Sequence, residues 1–210
     1  MKLFQNTSEQ VNFDISSIYK GHLLTTYRGV KAIRCPFDYV IYQMIINAVK
    51  PDLIIEIGTN TGGGALYLAD LLNNIGKGVL HSIDITDISD DIVKNHPRIK
   101  LFHNGYQDYD ISQIIKYEKV LVIEDGSHNY NDTLAALNIF SPYVTIGSYF
   151  IVEDGIISAL GMKKDFEGGP LRAINEFMRT DNNFTIDRKW CDFYGNNATF
   201  NVNGYLRRIS

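Results

Sequence analysis

The feature that most constrains the fold of this chain is a series of short apolar runs separated by segments of mixed composition. The runs are rich in Ile, Val and Leu and alternate little with polar residues, which is typical of strands buried on both faces of a parallel sheet. We predict five such strands, over residues 53–57, 78–84, 99–103, 120–124 and 148–152. Because parallel neighbours need a crossover between them, strands that alternate with helices predict an α/β protein with a Rossmann-like, doubly wound sheet.

The segments around these strands complete the expected architecture. Apolar periodicity and Pro or Gly at segment ends predict helices over residues 36–49, 62–72, 86–96, 112–117, 129–140 and 171–178. Two segments of alternating polarity, 184–190 and 198–206, predict an antiparallel closing pair and a sheet of about seven strands that is mostly parallel. Residues 1–35 lack clear periodicity, so we predict a partly helical N-terminal extension there and one main domain over residues 36–210.

Composition limits the partners and the compartment that we expect. At 210 residues, with 45% hydrophobic residues, the chain has the size and apolar content of one compact domain. The formal net charge of −4 disfavours nucleic acid and anionic membrane surfaces as partners. We expect a cytoplasmic protein that does not cross a membrane, because the sequence has no apolar leader and no apolar run of about 18 residues. Two cysteines, Cys35 and Cys191, are too few for a disulfide framework and are expected to be reduced.

Three carboxylates follow two of the predicted strands and indicate a metal site. Asp125 comes after the strand at 120–124, and Glu153 and Asp154 come directly after the strand at 148–152. Acidic side chains gathered at one sheet edge repel one another unless a cation lies between them. Mg²⁺ prefers oxygen ligands and leaves coordination positions open for a substrate. We therefore predict Asp125, Glu153 and Asp154 as Mg²⁺ ligands; for the last two, a pair of solvated loop carboxylates is the alternative.

His128 is the candidate for proton transfer. It lies three residues after Asp125, on the way into the next predicted helix. An imidazole with a pKa near neutrality can accept the proton of a hydroxyl group that a metal ion has acidified. We predict His128 as a general base, and a helix-capping or supporting histidine is the alternative.

The segment from Glu56 to Gly64, between the first strand and its helix, has the glycine content of a loop that cradles a ligand. Gly58 and Gly62 permit a tight turn and close approach of the backbone, and the following helix offers unpaired N–H groups. The spacing differs from the dinucleotide-binding G-x-G-x-x-G, and a carboxylate before the first glycine suits a ligand with a positively charged part. Asp84, at the end of the second strand, could accept hydrogen bonds from two ribose hydroxyls. A plain strand–helix turn and a helix N-cap at Asp84 are the alternatives.

Together these motifs resemble class I S-adenosylmethionine-dependent methyltransferases. More narrowly, the chain is similar to the family of cephalosporin hydroxylases and of macrolide and rhamnosyl sugar O-methyltransferases. Besides Glu56-x-Gly58-x-x-x-Gly62 and Asp84, the matching stretches are 27–30, 35–38, 52–58, Asp125-x-x-His128-x-Tyr130, 147–154, 169–170 and 203–208. They extend from about residue 25 to the C-terminus.

The resemblance implies S-adenosylmethionine as methyl donor and Mg²⁺ as metal. It implies an acceptor hydroxyl on a small molecule or glycan, such as a sugar of a bacterial surface glycan or a secondary metabolite, and a homo-oligomer. The implied cofactor-binding residues are Glu56, Gly58, Thr59, Asn60, Gly62, Asp84, Gly105, Tyr106, Gln107 and Asp125. Two alternatives stay open: a cofactor-binding subunit without activity, and a hydroxylase, which would need two histidines and one carboxylate around iron.

Overall fold

A seven-stranded sheet forms the centre of the protein. The computed structural model describes residues 13–210. In that range the strands are β1 Thr26–Tyr27, β2 Val30–Lys31, β3 Leu53–Ile57, β4 Val79–Ile83, β5 Ile99–Phe102, β6 Val120–Glu124, β7 Tyr149–Val152, β8 Phe184–Ile186 and β9 Tyr205–Arg208. The strand order in the seven-stranded sheet is β5-β4-β3-β6-β7-β9-β8. The α-helices are α1 Ile15–His22, α2 Pro36–Val49, α3 Gly63–Asn74, α4 Asp91–Lys94, α5 Tyr130–Phe140, α6 Gly169–Thr180 and α7 Arg188–Cys191.

The predicted apolar runs form the five parallel strands of this sheet. Strand β3 is central and pairs with β4 on one side and β6 on the other. All residues of β3 and β6 are buried, because helices cover both faces. Strand β9 pairs antiparallel with both β7 and β8. The prediction of a Rossmann-like sheet, mostly parallel with an antiparallel closing strand, is confirmed.

Two apolar cores lie on opposite faces of the sheet. On one face, α2 and α3 pack through side chains such as Ile45 and Leu66. On the other, α5 and α6 pack through side chains such as Phe140 and Ile174. Full burial of one large apolar side chain contributes about 1.5–3 kcal/mol relative to its exposure, so both layers hold the strands firmly. None of the helices within residues 13–210 is long and apolar enough to cross a bilayer.

The predicted helix over residues 86–96 is wrong in extent, because only α4 is helical there. Hydrogen bonds from side chains hold the preceding segment in a loop. Asp84 Oδ1 accepts the backbone N–H groups of Ile85 at 2.7 Å and Thr86 at 3.1 Å. Asp90 then caps α4 by accepting the N–H of Ile92 at 3.0 Å. Aspartates that bond local N–H groups in this way compete with the helical hydrogen-bond pattern.

Two further segments are shorter than predicted. The helix expected at 112–117 is a single 3₁₀ turn over Ile111–Gln113. The strand expected at 184–190 ends at Ile186, because Asp187 accepts the N–H of Lys189 at 3.1 Å and begins α7. The capping side chain of Asp187 thus ends the strand before its periodicity would.

The closing strand is also shorter than predicted, since β9 begins at Tyr205 and not at residue 198. A turn precedes it, in which the N–H of Gly204 donates to the carbonyl oxygen of Asn201 at 2.8 Å. The carbonyl of Gly204 then accepts the N–H of Val152 at 2.9 Å, which aligns β9 with β7. The antiparallel pairing is as predicted, but residues 187–204 separate its two strands.

The segment before α2 folds against the rest of the structure. In α1, Asp14 and Ser17 form a capping box, and the helix packs near Phe200. The β1–β2 hairpin is attached to α3 by the Tyr27 hydroxyl, which donates to Asp70 at 3.0 Å. Residues 1–12 of the predicted extension lie outside the described residues, and the division at residue 35 stays a prediction.

Candidate active site

Strand register brings the predicted carboxylates together at the carboxyl edge of the sheet. The chain order reverses between β3 and β6, which is where open α/β sheets bind ligands. Main-chain pairing continues one residue beyond these strands. The N–H of Asp125 donates to the carbonyl of Ile57 at 2.8 Å, and the N–H of Glu153 donates to the carbonyl of Glu124 at 2.9 Å. Asp125 and Glu153 are therefore neighbours in space although they are distant in sequence.

A cavity of about 630 Å³ opens at this edge. Most of the predicted site residues line it, namely Glu56, Gly58, Thr59, Asn60, Asp84, Gly105, Tyr106, Gln107, Asp125, His128 and Asp154. Gly62 and Glu153 are not among the lining residues and support the wall from behind. The volume is within the range of small-molecule sites and is large enough for a nucleoside with an attached amino acid.

The glycine loop needs its glycines for close packing. A Cβ on Gly58, which has φ +100°, would overlap the carbonyl oxygen of Asp125. Gly62 has φ +89°, and a Cβ there would meet the side chain of Val93 at 2.7 Å. Only glycine combines a favourable positive φ with the absence of a Cβ, and both are needed at these positions. The loop is therefore pressed against β6, and this packing keeps the cavity beside Asp125 open to a ligand.

Asp84 binds the glycine loop from β4. Its Oδ2 accepts the N–H groups of Thr59 and Asn60, both at 2.9 Å. Partial burial would raise the pKa of Asp84, but hydrogen bonds from the backbone of Asn60, Thr86 and Ile85 and from the Thr86 hydroxyl outweigh it and keep the pKa below its usual value. Asp84 thus fixes the loop on one wall of the cavity, and its role in binding ribose stays a prediction.

Asp125, His128 and Asp154 form a cluster with the atoms of a cation site. One ligand atom from each lies within 4.8 Å of the others. His128 Nε2 is 3.3 Å from Asp154 Oδ2. Both residues have left-handed backbones, with φ of 59° for His128 and 56° for Asp154. Such conformations are costly for residues other than glycine, and they cluster at functional sites.

Glu153, the third predicted metal ligand, binds a buried cation of the protein. Arg34 Nη2 donates to Glu153 Oε1 at 2.6 Å, and Arg34 Nε donates to Oε2 at 3.2 Å. Tyr42 also donates to Oε1, at 2.8 Å. With two lone pairs per oxygen, Oε1 is saturated and Oε2 keeps one free lone pair. The sequence-based reasoning missed Arg34, because no local pattern marks a guanidinium whose partner lies 119 residues away.

Negative charge around Arg34 exceeds what one guanidinium can balance. Arg34 Nη2 is 3.5 Å from Asp125 Oδ2 and 3.6 Å from Glu56 Oε1, in addition to its bonds with Glu153. Burial raises the pKa of Glu56 to about 7, and Arg34 and Ser82 oppose the rise. Burial and the charge of Glu153 raise the pKa of Asp125, against the effect of Arg34. The site therefore favours a second cation.

Asp132 is a further polar residue of the cavity that was not predicted. Asp132, in α5, accepts the hydroxyl of Ser127 at 2.5 Å and that of Tyr106 at 3.4 Å. It thereby connects the loop after β6 with the loop after β5, where Gly105 and Gln107 lie. In the sequence alone, Asp132 is an acidic residue in the first turn of a predicted helix. Acidic residues are common at that position without a functional role, because they interact favourably with the helix dipole.

The sequence comparisons decide the family. A family model described as Rhamnosyl O-methyltransferase/CmcI matches residues 20–209. This chain belongs to that family. A rhamnosyl O-methyltransferase of Mycobacterium bovis (strain BCG / Pasteur 1173P2) is 30% identical over 187 residues, which cover 84% of this chain and 76% of the relative. That of Mycobacterium leprae (strain TN) is 28% identical over 196 residues, which cover 88% and 83%.

Family membership confirms the predicted class, an O-methyltransferase enzyme of the Rhamnosyl O-methyltransferase/CmcI family. The fold agrees as well. A solved structure of CmcI with Mg and SAM superposes with a TM-score of 0.65 at 20% identity, covering 89% of this chain and 77% of that chain. At this identity the similarity establishes the shared fold.

Proposed function

We propose that this family member transfers a methyl group from S-adenosylmethionine to a hydroxyl oxygen of a sugar, assisted by Mg²⁺. The observation that carries the proposal is one cavity that is lined both by the glycine loop and by Asp125, His128 and Asp154. A donor bound on the loop would thus have its reactive end beside a group of acid–base and metal-binding side chains. The named relatives act as rhamnosyl O-methyltransferases, which supports a sugar as acceptor.

The donor half of the cavity suits a nucleoside with a cationic end. Glu56 and Asp125 offer acidic groups to a sulfonium or ammonium ion, while Gly105, Tyr106 and Gln107 offer a wall for a base. Solvent-exposed Ile85 and Ile88 add apolar surface to the same cavity. The CmcI structure that carries SAM has this fold, which supports the assignment of these residues to the cofactor.

The acidic half of the cavity fits a divalent metal. Asp125 and Asp154 would hold the ion, whereas Glu153, the third predicted ligand, is bonded to Arg34 and Tyr42 and lies outside this cluster. When bound, Mg²⁺ acidifies and orients a coordinated hydroxyl group. The excess negative charge around Arg34 is the feature of this chain that supports the fit.

His128 would move the proton. It lines the cavity, and Asp154 lies 3.3 Å from its Nε2, so the carboxylate can stabilise the imidazolium that forms. In the reaction, the O–H bond breaks toward His128, the oxygen forms a bond with the methyl carbon, and the S–CH₃ electron pair stays on sulfur. The products are a methyl ether, S-adenosylhomocysteine and a protonated His128, which returns its proton to solvent.

The two alternative functions have less support. A hydroxylase of the two-His-one-carboxylate type needs a second histidine, and the cluster found in residues 13–210 contains only His128. A non-catalytic subunit would not need Asp125, His128 and Asp154 gathered in one cavity. The predicted homo-oligomer and cytoplasmic location stay predictions.

The test is transfer of labelled methyl from S-adenosylmethionine to rhamnosyl glycosides, nucleotide sugars and bacterial glycans, with and without EDTA. We expect transfer that EDTA suppresses and Mg²⁺ restores. The variant His128→Asn should bind S-adenosylhomocysteine normally while kcat falls at least about a hundredfold. Asparagine is chosen because it tolerates the positive φ at this position, so the loop is preserved.

His103→Asn is the matched control, because His103 does not line the cavity and should keep full activity. Normal kcat in His128→Asn would remove His128 from the mechanism. Transfer that EDTA leaves unchanged would exclude the metal, and failure to bind S-adenosylhomocysteine would exclude the proposed donor.

A further inference from the structure

We propose that Arg34 binds the carboxylate of the amino-acid part of the methyl donor and makes the site selective for a zwitterionic ligand. The inference rests on the proposed function. The Arg34 guanidinium is nearly inaccessible, with 2% of its side chain exposed, and yet it is part of the cavity wall. Nε and Nη2 bind Glu153, whereas Nη1 has no hydrogen-bond partner within residues 13–210. A buried donor without a partner is costly unless a ligand supplies the acceptor.

The free Nη1 group lies beside the first turn of α3. A Cβ built on Gly64 would lie 3.4 Å from both Nη1 and Nη2, so this turn packs close to the guanidinium. The first N–H groups of a helix have no partner in the helix, and the N-cap Gly62 has no side chain that could accept them. Gly63 and Gly64 line the cavity at this point. Two sets of donors for an anion, Arg34 and the first turn of α3, therefore lie at the same part of the cavity wall.

A carboxylate that could bind a cationic group, that of Glu56, lies beside these donors. Glu56 Oε1 is 3.6 Å from Arg34 Nη2 and would be 3.1 Å from a Cβ on Gly64. A carboxylate that binds Nη1 thus leaves Glu56 close to the ammonium group on the same carbon atom. A phosphate alone would gain the guanidinium but would face the charge of Glu56. The unpartnered Nη1 offers a donor for an anion and Glu56 offers an acceptor for a cation, which together match an α-amino acid.

The guanidinium is held in place before any ligand arrives. The Tyr42 ring lies 4.7 Å from the guanidinium carbon, and the Tyr42 hydroxyl bonds to the same Glu153 that anchors Nε and Nη2. Fixing the donor in advance reduces the entropy cost of binding. Arg34 is therefore a binding residue for the donor, and its loss should affect affinity and selectivity more than the chemical step.

The test is calorimetric binding, without metal, of S-adenosylhomocysteine and of its decarboxylated analogue to the wild type and to Arg34→Lys. Lysine keeps a cation for Glu153 but has no second nitrogen for the ligand. We expect the wild type to prefer the carboxylated ligand by about tenfold to a hundredfold, the range of a charge-assisted hydrogen bond. In Arg34→Lys the preference should fall to about threefold or less. Circular dichroism should verify that the variant is folded.

Lys31→Met is the control, because Lys31 is the other cationic side chain that lines the cavity. It should keep the wild-type preference, and loss of the preference in Lys31→Met alone would overturn the proposal for Arg34. Equal affinity of the wild type for the two ligands would overturn it even if Arg34→Lys does not fold. Absence of binding by either ligand would instead contradict the proposed function.

Discussion

At Gly58 there is no room for even the Cβ atom of a larger residue. The Gly58 backbone lies against the main chain of Asp125, where a Cβ would overlap the carbonyl oxygen. The pairing between β3 and β6 brings the Gly58 backbone close to that of Asp125. The same pairing positions Asp125 for its proposed role. The residue is thus required for packing and for the geometry of the site together.

We expect Gly58→Ala to lower the free energy of unfolding by more than about 3 kcal/mol, because strain from a positive φ and a backbone clash add. Chemical denaturation measures the change. Gly76→Ala is the matched control: Gly76 also has a positive φ, of 78°, but nothing lies within 4 Å of its Cβ position. The control should lose only about 1–2 kcal/mol. Equal losses would mean that the contact with Asp125 is not limiting.

At the scale of elements, Asp38 joins the first turn of α2 to the C-terminal segment. Its carboxylate accepts the Thr199 hydroxyl, the N–H of Phe200 at 3.0 Å and the Tyr205 hydroxyl at 2.9 Å. These bonds hold the segment before β9 as a loop, since its donors face Asp38 and not a neighbouring strand. Burial raises the pKa of Asp38 to about 7, although the three hydrogen bonds oppose the rise.

The raised pKa predicts the direction of a pH effect on stability. An unfolded Asp38 with a pKa of 3.8 loses its proton first, so the free energy of unfolding should fall as pH rises from about 4 to about 7. At about 1.4 kcal/mol per pKa unit, Asp38 accounts for up to roughly 4 kcal/mol of this fall. Denaturation at several pH values measures it.

Asp38→Asn removes the titrating group, so we expect a lower stability with a weaker dependence on pH. Glu56, whose pKa burial also raises to about 7, should keep part of the dependence in this variant. A pH dependence identical to that of the wild type would show that Asp38 is not protonated in the folded state.

For the whole molecule, the cavity depends on segments that meet only after folding. The β2 edge, the glycine loop and the loops after β4, β5, β6 and β7 all contribute to its wall. A ligand that contacts all of them binds only the folded state, and it must therefore stabilise that state by mass action.

We expect S-adenosylhomocysteine at a hundred times its Kd to stabilise the protein by about 2.7 kcal/mol. For a domain of this size that corresponds to a rise in Tm of roughly 5–10 °C. Differential scanning calorimetry measures the rise, and NAD at the same concentration is the control, since the loop lacks the dinucleotide spacing. A similar rise with NAD would contradict selectivity for the methyl donor.

The sequence by itself determined the parallel strands, the order of elements and the family. These follow from local properties: apolar runs such as 120–124 identify buried strands, and polar residues directly after them, such as Asp125, lie at the ligand-binding edge. Prediction failed at 86–96, where the side chains of Asp84 and Asp90 override the local pattern.

Only the tertiary structure decided which charges face one another. Arg34 meets Glu153 and Glu56, and Asp132 joins two loops, through contacts between residues far apart in the chain. No periodicity encodes these contacts, because the electrostatic energy of a buried group depends on its three-dimensional surroundings and not on its neighbours in sequence. The carboxylates were visible in the sequence, but the guanidinium that balances them became visible only when the sheet brought them together.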